Sequence, residues 1–269
     1  SEHMLACLFL LRKKLDLYYV NQLQCRWKSE GHVGVIQGTT ALIIGLGDIG
    51  TAFAAKMKAL GCHTIGIKRR VGEKPSCVDE LYGMEALDSL VRAGKVRALG
   101  ASAMYGYQFF NMQLAARDNG WTPFVSMQNH YNLLYREDER ELIPICTQQN
   151  VARTPYSPLA AGRLSRLEWD ADTKRSRTDK TAVSKYDSTR ESDYGIVLRV
   201  HELAQKHAAT MTQISLAWQF ARGVTSPIIG ATKARYLDDA AGALDVRLSA
   251  EDVAYLEELY VPHRVVGAL

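Results

Sequence analysis

Gly45-Leu46-Gly47-Asp48-Ile49-Gly50 has the residue types and spacing that let a chain wrap a pyrophosphate. Gly45 permits a tight exit from a strand, Gly47 removes a side chain where phosphate oxygens would approach the backbone, and Gly50 lets a helix pack closely on the strand. The helix that follows would aim free N–H groups and about half a positive charge at the phosphates. The same spacing also serves a purely structural turn. At the end of the next strand, where an acidic residue would hold an adenosine ribose, the chain has Lys68-Arg69-Arg70. Three cations suit a 2'-phosphate and so favour NADP over NAD; read otherwise, they are solvated surface charges.

Regular elements must present these residues. Leu5, Leu8, Phe9, Leu15, Tyr18, Tyr19 and Leu23 repeat at helical spacing with no turn residue between them, which predicts one amphipathic helix over residues 1 to about 30. Thr40 to Ile44 is a short apolar run, expected as a strand buried on both faces, and Thr51 to Leu60 is a good helix by propensity, closed by Gly61. A second strand from His63 to Lys68 completes a β-α-β unit. From Val96 onward strand and helix patterns alternate to the C-terminus, the rhythm of parallel strands joined by crossover helices. Residues 164 to 195 break it, with Leu167, Trp169, Val183 and Tyr186 almost alone among polar side chains. A stretch that long inside a compact domain is usually functional or disordered.

Two families are similar to parts of this chain. Residues 1 to 88 resemble an internal piece of the D-2-hydroxyacid dehydrogenases in the opening Ser1-Glu2-His3-Met4-Leu5, the glycine turn and Val78-Asp79-Glu80-Leu81-Tyr82. Residues from about 86 onward resemble the second half of the aldo-keto reductases. That likeness rests on Gly94 to Ser102, Val125 to Leu134, Pro155 to Gly162, Gln213 to Arg222 and Ile228 to Lys233. Together they imply a chimera: a Rossmann-like β-α-β unit with its helix over 1–88, then the last four strands of a (β/α) barrel over 89–269. The fold class expected is therefore α/β, with parallel (β/α) units forming a partial or rebuilt TIM-type barrel.

The second resemblance implies a cofactor site in which Ser102 and Gln128 fix the nicotinamide carboxamide and Tyr156 offers a face for the ring. Ser157, Leu159 and Gly162 supply a turn for the pyrophosphate; Thr232 and Lys233 are placed to hold the 2'-phosphate, with Asp239 on the adenine side, and Gly230 and Tyr236 complete the cofactor-binding set. Ala103 and Ala240 stand where the family commonly has polar residues. His130 lies past its strand end and reads as structural. The family's catalytic Tyr, Lys, Asp and His come from the other half of its barrel, and nothing here matches them, so no catalytic residue is assigned. General acid catalysis is worth about 10² to 10⁴ in rate. The expectation is an NADP(H)-binding protein of oxidoreductase descent with little or no turnover; the alternatives are a non-enzymatic NADP-binding or interaction protein, or a fused chimera without evolved activity.

Composition narrows the partners. The excess of 33 Lys plus Arg over 29 Asp plus Glu is too small for a nucleic-acid surface, and the longest apolar run, Leu5 to Leu11, is too short to span a bilayer. Five scattered cysteines with no CxxC pair disfavour disulfides and a metal site and fit a cytoplasmic protein. A chain that opens on Ser1 inside a helical pattern reads as cut from something larger. An unclosed barrel would leave a sheet edge open to self-association.

Overall fold

The computed structural model describes residues 1–68, 70–169, 180–231 and 233–266. They form two compact units, Ser1–Val96 and Arg97–Leu269.

In the first unit, α1 (Glu2–Lys13) and α2 (Leu15–Leu23) replace the single helix expected from the periodicity. Lys14 breaks it in the left-handed region at φ 53°, where its amide closes α1 on the carbonyls of Leu10 and Leu11 and its ammonium holds the Glu30 carbonyl. Leu5, Leu8 and Phe9 pack with Ile36, Met57 and Cys62, whereas Leu11, Leu15, Leu17 and Leu23 stay exposed. Strands β1 (Thr40–Ile44), β2 (His63–Ile67) and β3 (Glu80–Tyr82) pair in parallel in that order, with α3 (Asp48–Ala59) between the first two and α4 (Ala86–Arg92) after the third. β1 is an edge strand with only Ile43 buried, so its apolar run does not mark burial on both faces. β3 was not legible, because the Gly- and Pro-containing stretch before it reads as a plain connection.

In the second unit, β4 (Leu99–Ser102), β5 (Phe124–Gln128) and β6 (Ala152–Arg153) form another parallel sheet, crossed by α5 (Gly106–Asp118) and α6 (Leu142–Gln148). The strand expected over 151–156 pairs regularly for two residues only. It continues as isolated bridges, His130 with Tyr156 and Tyr156 with Ile228. The helices α7 (Lys180–Tyr186), α8 (Arg190–Lys206), α9 (Met211–Ala221), α10 (Ala234–Ala241) and α11 (Ala250–Glu257) follow. Trp218, Ile214, Ile196, Val197 and Val200 from α8 and α9 are fully buried with Tyr131, Leu134 and Leu164. The expected helix over 137–149 is split at Glu141, whose φ of −142° and ψ of −58° separate a 3-10 turn (Glu137–Arg140) from α6.

The architecture is thus α/β with parallel strands. Among the described residues each sheet has three strands and closes no barrel. No helix among them is long and apolar enough to cross a membrane.

Candidate functional site

Parallel pairing sets the site's first two residues side by side. Ser102 and Gln128 end β4 and β5 in register, the Ser102 hydroxyl donates to the Gln128 carbonyl at 3.1 Å, and the Ala103 amide donates to the same oxygen at 3.0 Å. Beneath them Met127 and Phe109 are wholly buried with Leu142 and Cys146, which anchors both strand ends. The next rung brings Tyr156 alongside, its amide on the Asn129 carbonyl at 2.8 Å; the Ile228 amide on the Pro155 carbonyl at 2.8 Å adds the last segment. Ser102, Gln128, Tyr156 and Ile228 therefore follow one another along the C-terminal rim of the sheet.

Tyr156 sits in an aromatic and ionic cluster. His130 stacks on it with centroids 5.1 Å apart and 10° between planes, and on Tyr135 at 4.1 Å. Its Nε2 lies 2.7 Å from the Tyr186 hydroxyl. Tyr186 also accepts from Asn132 at 3.1 Å, and among the described residues the buried Nδ1 of His130 has no hydrogen-bond partner. Burial, aided by the positive charge of Lys185, pushes His130 down to about 3, so the ring is neutral at neutral pH. Burial and then the Asp138 charge raise the Tyr156 hydroxyl, which keeps its proton. Lys185 on α7 donates to that hydroxyl at 3.4 Å and lies over the ring at 4.8 Å from its centroid. Asp138, accepting from Asn129 at 2.8 Å, is pushed up to about 6 by burial, against that hydrogen bond and with help from Glu137. Asn129, His130, Tyr135, Asp138 and Tyr156 share a water-sized cavity of about 10 Å³.

The C-terminal segment straps this cluster. Tyr135 exchanges hydrogen bonds with the Val266 backbone, the His263 amide donates to Glu137 at 2.7 Å, and the His263 ring meets Asp193 at 2.9 Å. Arg136 is held by Glu139 at 2.8 Å and Glu257 at 3.0 Å, with its guanidinium over Trp218 and Tyr260. These groups make a rigid frame around a neutral aromatic floor.

Other predicted residues behave differently. The Gly162 amide donates to the Leu159 carbonyl at 2.8 Å, and Ser157 takes φ 54° while its carbonyl receives Asn132. The Asp239 carboxylate accepts from Thr210 at 2.7 Å through one of its oxygens, which ties α10 to the start of α9. Lys233 is an exposed cap of α10, Tyr236 is exposed beneath the Arg235 guanidinium, and Gly230 has open space around it. Thr232 and Arg69 lie outside the described residues.

In the first unit Gly45 takes φ 95°, and a Cβ on Gly50 would collide with the Gly45 carbonyl oxygen, so both glycines are required by the turn itself. A Cβ on Gly47 meets nothing. Asp48 and Ile49 open α3 exposed, with the Asp48 carboxylate at the end where a phosphate would bind. Lys68 is half-buried, its amide on the Tyr82 carbonyl. A hollow of about 700 Å³ beside Tyr18, Cys25 and Trp27 contains none of these residues.

Sequence reasoning did not find Lys185, Asp138 or Tyr135. Only the unusual polarity of residues 164 to 195 hinted at the first.

A model of the aldo/keto reductase family matches residues 3–261, nearly the whole chain. The chain belongs to the aldo/keto reductase family. Three fungal relatives agree. An aldo-keto reductase of Fusarium vanettenii is 42% identical over 216 residues, 80% of this chain and 58% of its own length. The versiconal hemiacetal acetate reductase of Aspergillus parasiticus is 41% identical over 68% of this chain and 53% of its own. An aldo-keto reductase of Alternaria alternata is 40% identical over 68% and 50%. This family member spans about half the length of the curated relatives it matches.

The match overturns the chimera and the hydroxyacid dehydrogenase resemblance, because one family model runs from residue 3 to residue 261, across both segments. A Gly-rich bend is the local solution wherever a parallel strand turns tightly into a helix that packs on it. The bend reports a backbone need, and a short motif of that kind cannot assign a family.

Proposed function

We propose that residues 97–269 hold NADP(H) along the rim formed by β4, β5 and the segments around Tyr156 and Ile228, and that this chain alone turns over little. Ser102 and Gln128 fix the carboxamide, Tyr156 carries the nicotinamide, and Lys233 with Thr232 receives the 2'-phosphate. The observation that supports this reading best is the adjacency of Ser102, Gln128 and Tyr156 at consecutive strand ends, where parallel (β/α) folds bind ligands. When bound, the cofactor supplies the hydride. The chain's own residues orient the ring and exclude water, but the raised Tyr156 hydroxyl makes it a surface for stacking rather than a proton donor. The front turn is not needed for this reading: Gly45 is required there by its positive φ and Gly50 by close packing on the Gly45 carbonyl. With β4 at the edge of its sheet, pairing with a second copy would complete the structure.

The test is a fluorescence titration with NADPH, followed by addition of an aromatic aldehyde. Wild type is expected to bind without steady NADPH consumption. Tyr156→Ala should bind about tenfold more weakly, the scale of a lost ring–ring contact plus its buried area, while Tyr156→Phe stays close to wild type. Absence of binding sinks the site, and sustained turnover sinks the claim of a quiet one.

A further inference from the structure

Lys185, in the polar stretch between the Tyr156 turn and α8, brings a cation to the Tyr156 ring. Lys185 holds its Nζ 4.8 Å from the Tyr156 centroid and 3.4 Å from the hydroxyl. His130 lies nearly parallel against the same ring. A ring has two faces, and with an imidazole along one a second flat ring can add only on the other. A nicotinamide stacked there comes within reach of the Lys185 ammonium, whose flexible four-carbon stem can move to the rim of the added ring without leaving its neighbourhood.

The two redox states of a nicotinamide dinucleotide share sugars, phosphates and adenine and differ at that ring. The oxidised ring carries a positive charge; the reduced ring carries none. A cation beside it repels only the oxidised form, and the buried setting of the cluster, with His130 only 4% exposed, weakens screening by water. The same ammonium already acts on its surroundings, since it is one of the causes that hold His130 neutral.

We propose that Lys185 sets the redox preference of the dinucleotide site, favouring the reduced cofactor over the oxidised one. This rests on the stacking of nicotinamide on Tyr156 advanced above. Lys185 acts as a specificity residue for one end of the ligand, in contrast to the cations that grip phosphates and treat both redox states alike.

Calorimetric titration of the full chain with NADPH, NADP⁺ and 2',5'-ADP tests it, the last being a probe that lacks nicotinamide. In Lys185→Met, NADP⁺ should gain about tenfold relative to NADPH, a factor equivalent to about 1.4 kcal/mol, while 2',5'-ADP is unchanged. Lys185→Arg, which keeps the charge, should retain the wild-type ratio. An unchanged ratio in Lys185→Met, with Tyr156→Ala still weakening both dinucleotides, overturns the role of Lys185 and leaves the stacking reading intact. Equal loss of all three ligands in Lys185→Met also overturns it, by showing a general electrostatic or structural effect. Failure of wild type to bind either dinucleotide, or indifference of both to Tyr156→Ala, removes the stacking reading and this inference with it.

Discussion

The turn after β1 and the turn after Tyr156 both reverse the chain at the C-terminal end of a parallel strand, by opposite means. The front turn uses residues that tolerate any backbone: Gly45 at φ 95°, and Gly50 where the Gly45 carbonyl leaves no room for a side chain. The rear turn puts Ser157, Ala160 and Ala161 at φ 54°, 47° and 56°, conformations that cost an L-residue about 1 to 2 kcal/mol each. Such strain persists only where the surroundings over-determine it, and here Ala160 and Leu164 are wholly buried in the core of the second unit. Local permissiveness suffices at the front; at the rear, packing imposes the shape. The same contrast runs through the helices. α9 buries Met211, Ile214, Leu216 and Trp218, while α1 and α2 leave Leu11, Leu15 and Leu23 exposed.

Four measurements would sharpen or break this contrast. The largest effect is expected from Trp218→Ala, which removes a wholly buried ring packed on Tyr131 and hydrogen-bonded to Glu257 at 2.8 Å. It should destabilise the second unit by about 3 to 5 kcal/mol in denaturant titration, against less than about 0.5 kcal/mol for Leu11→Ala. Equal costs would show that the front unit is as tightly built as the rear. Next, Gly50→Ala should cost the first unit about 1 to 3 kcal/mol, because the added methyl meets backbone that cannot step aside, with amide exchange in the second unit untouched.

The third measurement is stability against pH in the second unit, where two carboxylates pull in opposite directions. Burial raises Asp252, but Lys206, the Ser249 amide and His207 outweigh it and bring it down to about 2. Its folded form is the better acid, so its contribution is complete above the unfolded value near 4 and is lost as pH falls from about 4 toward 2. Asp138, raised to about 6 by burial, is the weaker acid in the fold. Between about 4 and 6 the native state holds more protons than the unfolded chain, so stability falls as pH rises through that window. Asp138→Asn should flatten the descending limb between pH 4 and 6 and leave the acid limb in place; a limb unchanged by this substitution contradicts the assignment. The smallest effect is expected from Gly47→Ala. Its methyl has space and its φ of −80° is ordinary, so stability and NADPH affinity should both stay at wild-type values. Weakened NADPH binding would move the dinucleotide site to the front turn.

Much of the framework of the candidate rear site was legible because its signals are short and local. Gln128 and Tyr156 stand in recognisable strings, and β1, β5 and the helix following the glycine turn come from apolar runs and good helix formers of ordinary length. The break at Lys14 could not be read, since a lysine carries no propensity for the left-handed region; it lies where Leu5, Leu8 and Phe9 are claimed by the first unit's core while the residues beyond them are not. The neighbours of Asp239 and Gly162 could not be read either, for a similar reason. A carboxylate or an amide is available to a ligand only if no neighbour has taken it, and Thr210 and Leu159 are neighbours only in space.

By itself the sequence determined the alternation of strands and helices, the glycines that the tight bend after β1 requires, and the string of polar and aromatic residues that end the strands. These depend on residues a few positions apart, where sterics and hydrophobic periodicity act directly. Only the tertiary structure decided that Lys185 would stand over Tyr156, that His130 would be buried and neutral, and that Asp138 would hold its proton up to about pH 6. Those properties come from desolvation and from charges brought together across long stretches of chain, and both exist only once the second unit has packed.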